Sequence, residues 1–111
     1  MSFFDSHIVR AEISEITILQ EDVYKNLFKF PSMSMDEKKF HIQLLEKLLY
    51  KQKVLYTRLS LSDDPDALEA KERMMKAASA MGFPSNVDMN IIFTTMEKSI
   101  EVMKNQLDTP L

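Results

Sequence analysis

The chain has 111 residues, 45% hydrophobic, with one Gly, four Pro, no Cys and a net charge of −3. That length and apolar content give one domain with a modest core rather than a disordered chain, and so few Gly and Pro argue against an all-β fold. The missing cysteine excludes disulfides, zinc fingers and thiolate chemistry, and the negative balance disfavours a nucleic-acid binder, which usually shows a basic face.

The first helix is expected to begin at Asp5, whose carboxylate can accept from free N–H groups of the first turn. Phe4 and Val9 then take the positions of a hydrophobic staple. Val9, Ile13, Ile16, Val23 and Leu27 recur at three- and four-residue steps, with Gln20 in the one polar slot, which is a coiled-coil type of seam. Glu12 and Glu15 fall outside it, on a face read as solvated. Pro31 disfavours helical geometry at Phe30, so the helix should end near Lys29. The connection Phe30-Pro31-Ser32-Met33 is short, and short connections make antiparallel neighbours. Pairing across it places Gln20 near Leu45 and Gln52 near Ile13, keeping the two glutamines apart.

The second helix, Ser34 to Leu61, organises the rest. Ser34 and Glu37 read as a capping box, and Asp36 and Glu37 suit the positive end of the helix dipole. No Gly or Pro interrupts the chain before Pro65, giving a rod of about 40 Å. Ile42, Leu44, Leu45, Leu48, Leu49, Leu55, Tyr56 and Leu59 share one core arc. Phe40, Tyr50, Val54 and Leu61 form a second apolar arc, where a helix covered on one side should be polar. Another helix of the chain could cover it, or a second subunit or partner. With the flanking Lys47, Lys51 and Arg58 these residues make the candidate interface. In the core arc, His41 is read as a half-buried histidine hydrogen-bonded to Glu37, ahead of a metal ligand or pH switch, and Gln52 as a register-fixing polar residue.

Asp64 should cap a third helix with Pro65 at its first position. Asp63, Asp64 and Asp66 are read as capping and dipole compensation rather than a divalent-cation site, since no EF-hand spacing follows. The helix runs to Met81, where Gly82 fits the left-handed C′ position, Phe83 the accompanying apolar contact and Pro84 the stop. Its inner face is Ala67, Ala70, Met74, Ala77, Ala78 and Met81. Met74, Met75 and Met81 at helical spacing read as core filler or an adaptable surface, not a copper site. Ser85 to Asp88 opens a fourth helix carrying Met89, Phe93, Met96, Ile100, Met103 and Leu107, flanked by Ile92 and Val102, and Asp108 to Leu111 is an expected frayed tail.

The segment Asp36 to Ser60 carries a net charge of +3, and Leu61 to the C-terminus carries −4, so the two are expected to attract one another within the fold. Enzyme signatures are missing. There is no P-loop, Gly-rich dinucleotide loop or Gly-x-Ser-x-Gly elbow, and neither His7 nor His41 has the Glu three residues before it that a di-iron bundle uses. No cofactor or metal is expected. The N-terminus MSFFDSHIVRAE lacks the basic start and long apolar run of a signal peptide, and no apolar stretch approaches the ~20 residues that span a membrane, so a cytoplasmic location is expected.

The stretches MSFFDSHIV and QKVLYTRLSLSDDPDA resemble a family of small helical proteins found in cyanobacteria and in the tailed phages that infect marine cyanobacteria, with the phage members closer. The resemblance covers most of the chain and brings no activity, cofactor or catalytic residue with it. It implies a cytoplasmic, phage-encoded protein acting on a host component.

The expected fold is one all-α domain over residues 1–111: an antiparallel hairpin of two long helices plus two shorter ones, bundle-like and dimeric. An elongated hairpin that dimerises into a bundle is the second arrangement. The expected function is a non-enzymatic interaction or regulatory protein, acting as a homodimer and with a host protein partner. A transcription-associated or nucleic-acid-binding factor using the basic flank of the second helix is the alternative.

Overall fold

The computed structural model describes residues 3–80, 82–84 and 88–108. Four helices make up the chain: α1 His7–Leu27, α2 Met35–Ser60, α3 Pro65–Ala80 and α4 Met89–Asp108, with short 3-10 turns at Phe3–Asp5 and Phe30–Ser32 and no strand among the described residues.

Helix α1 starts one residue later than expected. Ser6, not Asp5, is the N-cap, its Oγ accepting the Val9 N–H at 3.4 Å. The reason lies far along the chain: the carboxylate of Asp64 accepts the Phe3 N–H at 2.6 Å, pinning the N-terminal turn to the start of α3. Asp5 closes that turn, and its carbonyl accepts from Arg10. Val9 therefore lies at the third helical position and Phe4 is displaced from the staple. Phe4 packs edge-to-face on Phe3 instead, at 5.1 Å. The helix ends at Leu27, two residues before Lys29, and Pro31 opens the 3-10 turn that follows.

The capping box of α2 is formed from both sides: Ser34 Oγ accepts the Glu37 N–H at 3.2 Å, and Glu37 Oε1 accepts the Ser34 N–H at 3.2 Å. Two backbone donors are thereby satisfied, and 26 helical residues follow. Asp64 Oδ1 accepts the Asp66 N–H at 2.8 Å and caps α3 ahead of Pro65. Asp88 Oδ1 does the same for α4 through Asn90 at 2.9 Å, while Ser85 lies outside the described residues.

Helix α3 stops in a Schellman motif. The Gly82 N–H bonds the Ser79 carbonyl at 3.1 Å, the Phe83 N–H bonds the Ala78 carbonyl at 3.2 Å, and Gly82 has φ 105°. Phe83 folds back onto the core. No atom lies within 4 Å of a Cβ placed on Gly82, so the cost of Gly82→Ala is backbone strain alone. We expect a loss of about 1 kcal/mol, read as a fall of a few degrees in thermal unfolding, whereas an unchanged Tm would mean that the left-handed turn is not required.

Helix α2 is the centre of the molecule. α1 and α4 run antiparallel to it along opposite flanks, and α3 packs on its inner face over the C-terminal half. Extents of 54 by 31 by 19 Å fit one layer of three helices with α3 beginning a second layer, since a helix with side chains is about 10 Å across. The main core sits where α2, α3 and α4 meet. Leu49 and Tyr56 of α2 meet Ala78 of α3 and Met89, Ile92 and Phe93 of α4, with Tyr56 and Phe93 edge-on at 5.7 Å.

Two expected core assignments change. Leu27 is exposed and Leu19 is buried in its place, so the packed face of α1 is rotated away from Ile13, Gln20 and Leu27, which lie along one edge. Ala77 of α3 is exposed. Across the hairpin, Glu15 of α1 stands opposite Lys51 of α2, close to the expected register. Phe30 folds back onto His41, two turns into α2, with rings 5.4 Å apart. Gln20 and Gln52 both line one cavity on the inner side of α2.

Candidate interaction surface

Rows of ion pairs fix α2 between its neighbours. On the α1 side, Arg58 Nε donates to Glu12 at 3.0 Å and Lys51 pairs with Glu15. On the α4 side, Lys53 reaches Glu97 at 2.7 Å and Lys104 reaches Glu46 at 3.5 Å. Glu12 and Glu15 are thus not a free acidic face. The hydrogen bond and charge of Lys51, helped by Lys47, hold the Glu15 carboxyl below the usual carboxylate range. Lys53–Glu97 joins the positive segment to the negative one, but two of the basic residues of α2 take their partners from α1.

Between the two rows, on the outer side of α2, stands the second apolar arc. Phe40, Tyr50 and Leu61 are 62%, 68% and 82% exposed, and Val54 is half-buried. Among the described residues, no other helix covers the first three. Of the candidate interface, Lys51 and Arg58 are engaged with α1, while Lys47 is exposed beside them. The structure therefore brings the apolar members to one face and removes two of the three basic ones from service as free charges.

His41 departs from its expected environment. It is 3% exposed, and its Nδ1 has no hydrogen-bond partner. Glu37, its expected partner, is committed to the capping box. Burial pushes the imidazole pKa down. The ring borders a cavity of about 390 Å³ at the tip of the hairpin, shared with Asn26, Met33, Asp36, Phe40 and Leu44.

Asp64 gives both carboxylate oxygens to backbone N–H groups, of Phe3 and Asp66. Among the described residues, no three His, Asp or Glu side chains converge as a metal site would require. Met74 and Met75 pack against the core, and Met81 lies outside the described residues. No helix among the described residues is long and apolar enough to cross a membrane.

One feature escaped the sequence reading: an uncharged trench on the inner side of α2, floored by Leu45, Leu48 and Gln52 and walled by Thr95, Met96 and Ser99. Its trace in the sequence is the pair of glutamines inside apolar seams, which mark positions that are not fully enclosed.

No curated protein and no solved structure matches this chain. A family model described as a domain of unknown function, DUF1825, matches residues 1–107, and the chain belongs to that family.

Proposed function

We propose that this protein is a non-enzymatic interaction protein that works through the outer face of α2. The carrying observation is the exposure of Phe40, Tyr50 and Leu61 on a helix already packed along both flanks. A run of large apolar groups on one helix face marks a surface that gains by being covered. The first occupant is a second copy, packed so that two α2 helices lie close about a twofold axis. The resemblance to cyanophage proteins supplies the context: a phage-encoded cytoplasmic protein whose dimer engages a host protein. The ion pairs of Lys51, Lys53 and Arg58 weaken the alternative of nucleic-acid binding on the basic flank of α2.

Light scattering after gel filtration tests the dimer. The wild type should be a dimer at tens of micromolar. Tyr50→Asp, at an exposed position, and Val54→Asp should both be monomeric with an unchanged helical circular-dichroism signal. A monomeric wild type refutes the dimer, and a dimeric Tyr50→Asp moves the interface off this face. A salt titration with duplex DNA separates the alternative, because phosphate contacts give a steep salt dependence.

A further inference from the structure

His41 is buried with its Nδ1 unpartnered, and the outer face of α2 makes no use of it. What it supports is the connection between α1 and α2. Of the connecting residues, Pro31 and Ser32 are exposed and Phe30 and Met33 are half-buried. The 3-10 turn is held by local bonds, from Ser32 N–H to the Lys29 carbonyl at 3.0 Å and from Met33 N–H to the Phe30 carbonyl at 3.1 Å. No side chain caps its start. Phe30 ties the turn to α2, its ring tilted against that of His41.

An imidazolium does not suit this position. Burial disfavours the charged form, and nothing accepts from Nδ1 where the ring lies. Lys38 adds a like charge, its Nζ 5.6 Å from the centre of the Phe30 ring. The alternative lies beside it. The cavity of about 390 Å³ that His41 borders takes its lining from each element at the tip: Asn26 of α1, Met33 of the connection, and Asp36, Glu37 and Phe40 of α2. Both charged groups there are carboxylates. Glu37 commits Oε1 to the Ser34 N–H, and its second oxygen remains an acceptor. Asn26 spends its amide N–H on the Asp22 carbonyl, so its own carbonyl oxygen is the acceptor on the α1 side.

We propose that His41 is an acid-operated latch on the tip of the α1–α2 hairpin: neutral, it keeps Phe30 and the connection closed, and protonated, it turns into the neighbouring cavity and lets the tip open. Turning exchanges a desolvated, unpaired charge for one that faces two carboxylates and water. The same movement removes the surface on which Phe30 rests. A segment with few buried contacts opens at low free-energy cost, so the connection opens alone, ahead of the core around Phe93. Phe40 lines the cavity and also belongs to the outer face of α2, so opening alters the end of that face nearest the tip. The latch stands whether or not that face dimerises. His7, exposed at the start of α1, is the internal control.

Amide hydrogen exchange of the full-length protein, followed by NMR and corrected for the intrinsic rate at each pH, reads the latch at Ser32 and Met33. Between pH 7.5 and 5 their protection should fall by about five- to thirtyfold, the upper limit being set by an imidazole of pKa about 6.5 in the open tip. The fall should vanish in His41→Leu and in His41→Gln and persist in His7→Gln. At pH 5 these two amides should exchange at a rate that low urea leaves unchanged, while exchange at Ile92 and Phe93 accelerates with urea. That contrast separates opening of the tip from unfolding of the whole chain. Four results would each overturn the proposal: wild-type Ser32 and Met33 amides without protection at pH 7.5, protection that does not change with pH, a fall that the His41 variants retain, or a tip that follows urea as Ile92 and Phe93 do.

Discussion

Phe93→Ala should destabilise the protein by about 3–5 kcal/mol, while Leu48→Ala should cost about 1 kcal/mol. Phe93 is buried where α2, α3 and α4 meet and packs edge-on against Tyr56. Truncating it removes the ring's transfer free energy, the aromatic pairing and the packing around the cavity left behind. Ile92 and Met89 precede it on α4 and belong to the same cluster. Leu48 is only half-buried because the trench beside it is open. Its deletion leaves water where water already had access. Urea unfolding midpoints measure both. The first loss is a large share of the roughly 5–15 kcal/mol available to a domain, so Phe93→Ala should be partly unfolded near 37 °C. Equal losses would show that the core extends evenly along α2 and that the trench closes in solution.

That asymmetry marks what could be read from the sequence. Ser34 and Glu37, Asp64 and Pro65, and Gly82 and Phe83 were legible because caps are settled within a turn of chain, by hydrogen bonds between residues two to five apart. The four helices and most of the α2 and α4 core arcs followed from periodicity for the same local reason. What depends on distant contacts was not legible. Ser6 replaces Asp5 as the cap because Asp64, 61 residues away from Phe3, holds the first turn in place. The glutamines line one cavity because α1 and α4 pack on α2 with little contact between them, which no local pattern shows. Exposure of the second arc depends on where α4 lies, and periodicity says which residues share a face without saying which face is covered. Glu12 and Glu15 have the spacing of a solvated face and become paired because Arg58 and Lys51 stand opposite.

His41→Leu should stabilise the protein near neutral pH by about 1 kcal/mol and remove a pH dependence that the wild type shows below about 6.5. The side chain is buried and Nδ1 is unpaired, so the neutral ring already carries the cost of a desolvated polar atom. Protonation is disfavoured further by the same burial, which depresses the folded-state pKa. Above the unfolded-state value of about 6.5 both states are neutral and the group makes no pH-dependent contribution. As the pH falls below that value, the unfolded chain binds a proton that the fold resists. Stability then declines, by at most about 1.4 kcal/mol per pH unit, until the pH reaches the depressed folded pKa. The charged neighbours bear on the size of the loss. Asp36 and Glu37 line the same cavity and would favour an imidazolium, but Glu37 is held by Ser34, and Lys38 lies over the Phe30 ring that stacks on His41. Glu15 acts in a lower window. Its contribution is present above the ordinary carboxylate value and is lost as pH falls through its depressed folded pKa. Urea unfolding of wild type and His41→Leu at pH 7.5, 6 and 5 separates the two groups. The curves should diverge with acidification over that range, and parallel curves would place the imidazole in contact with water.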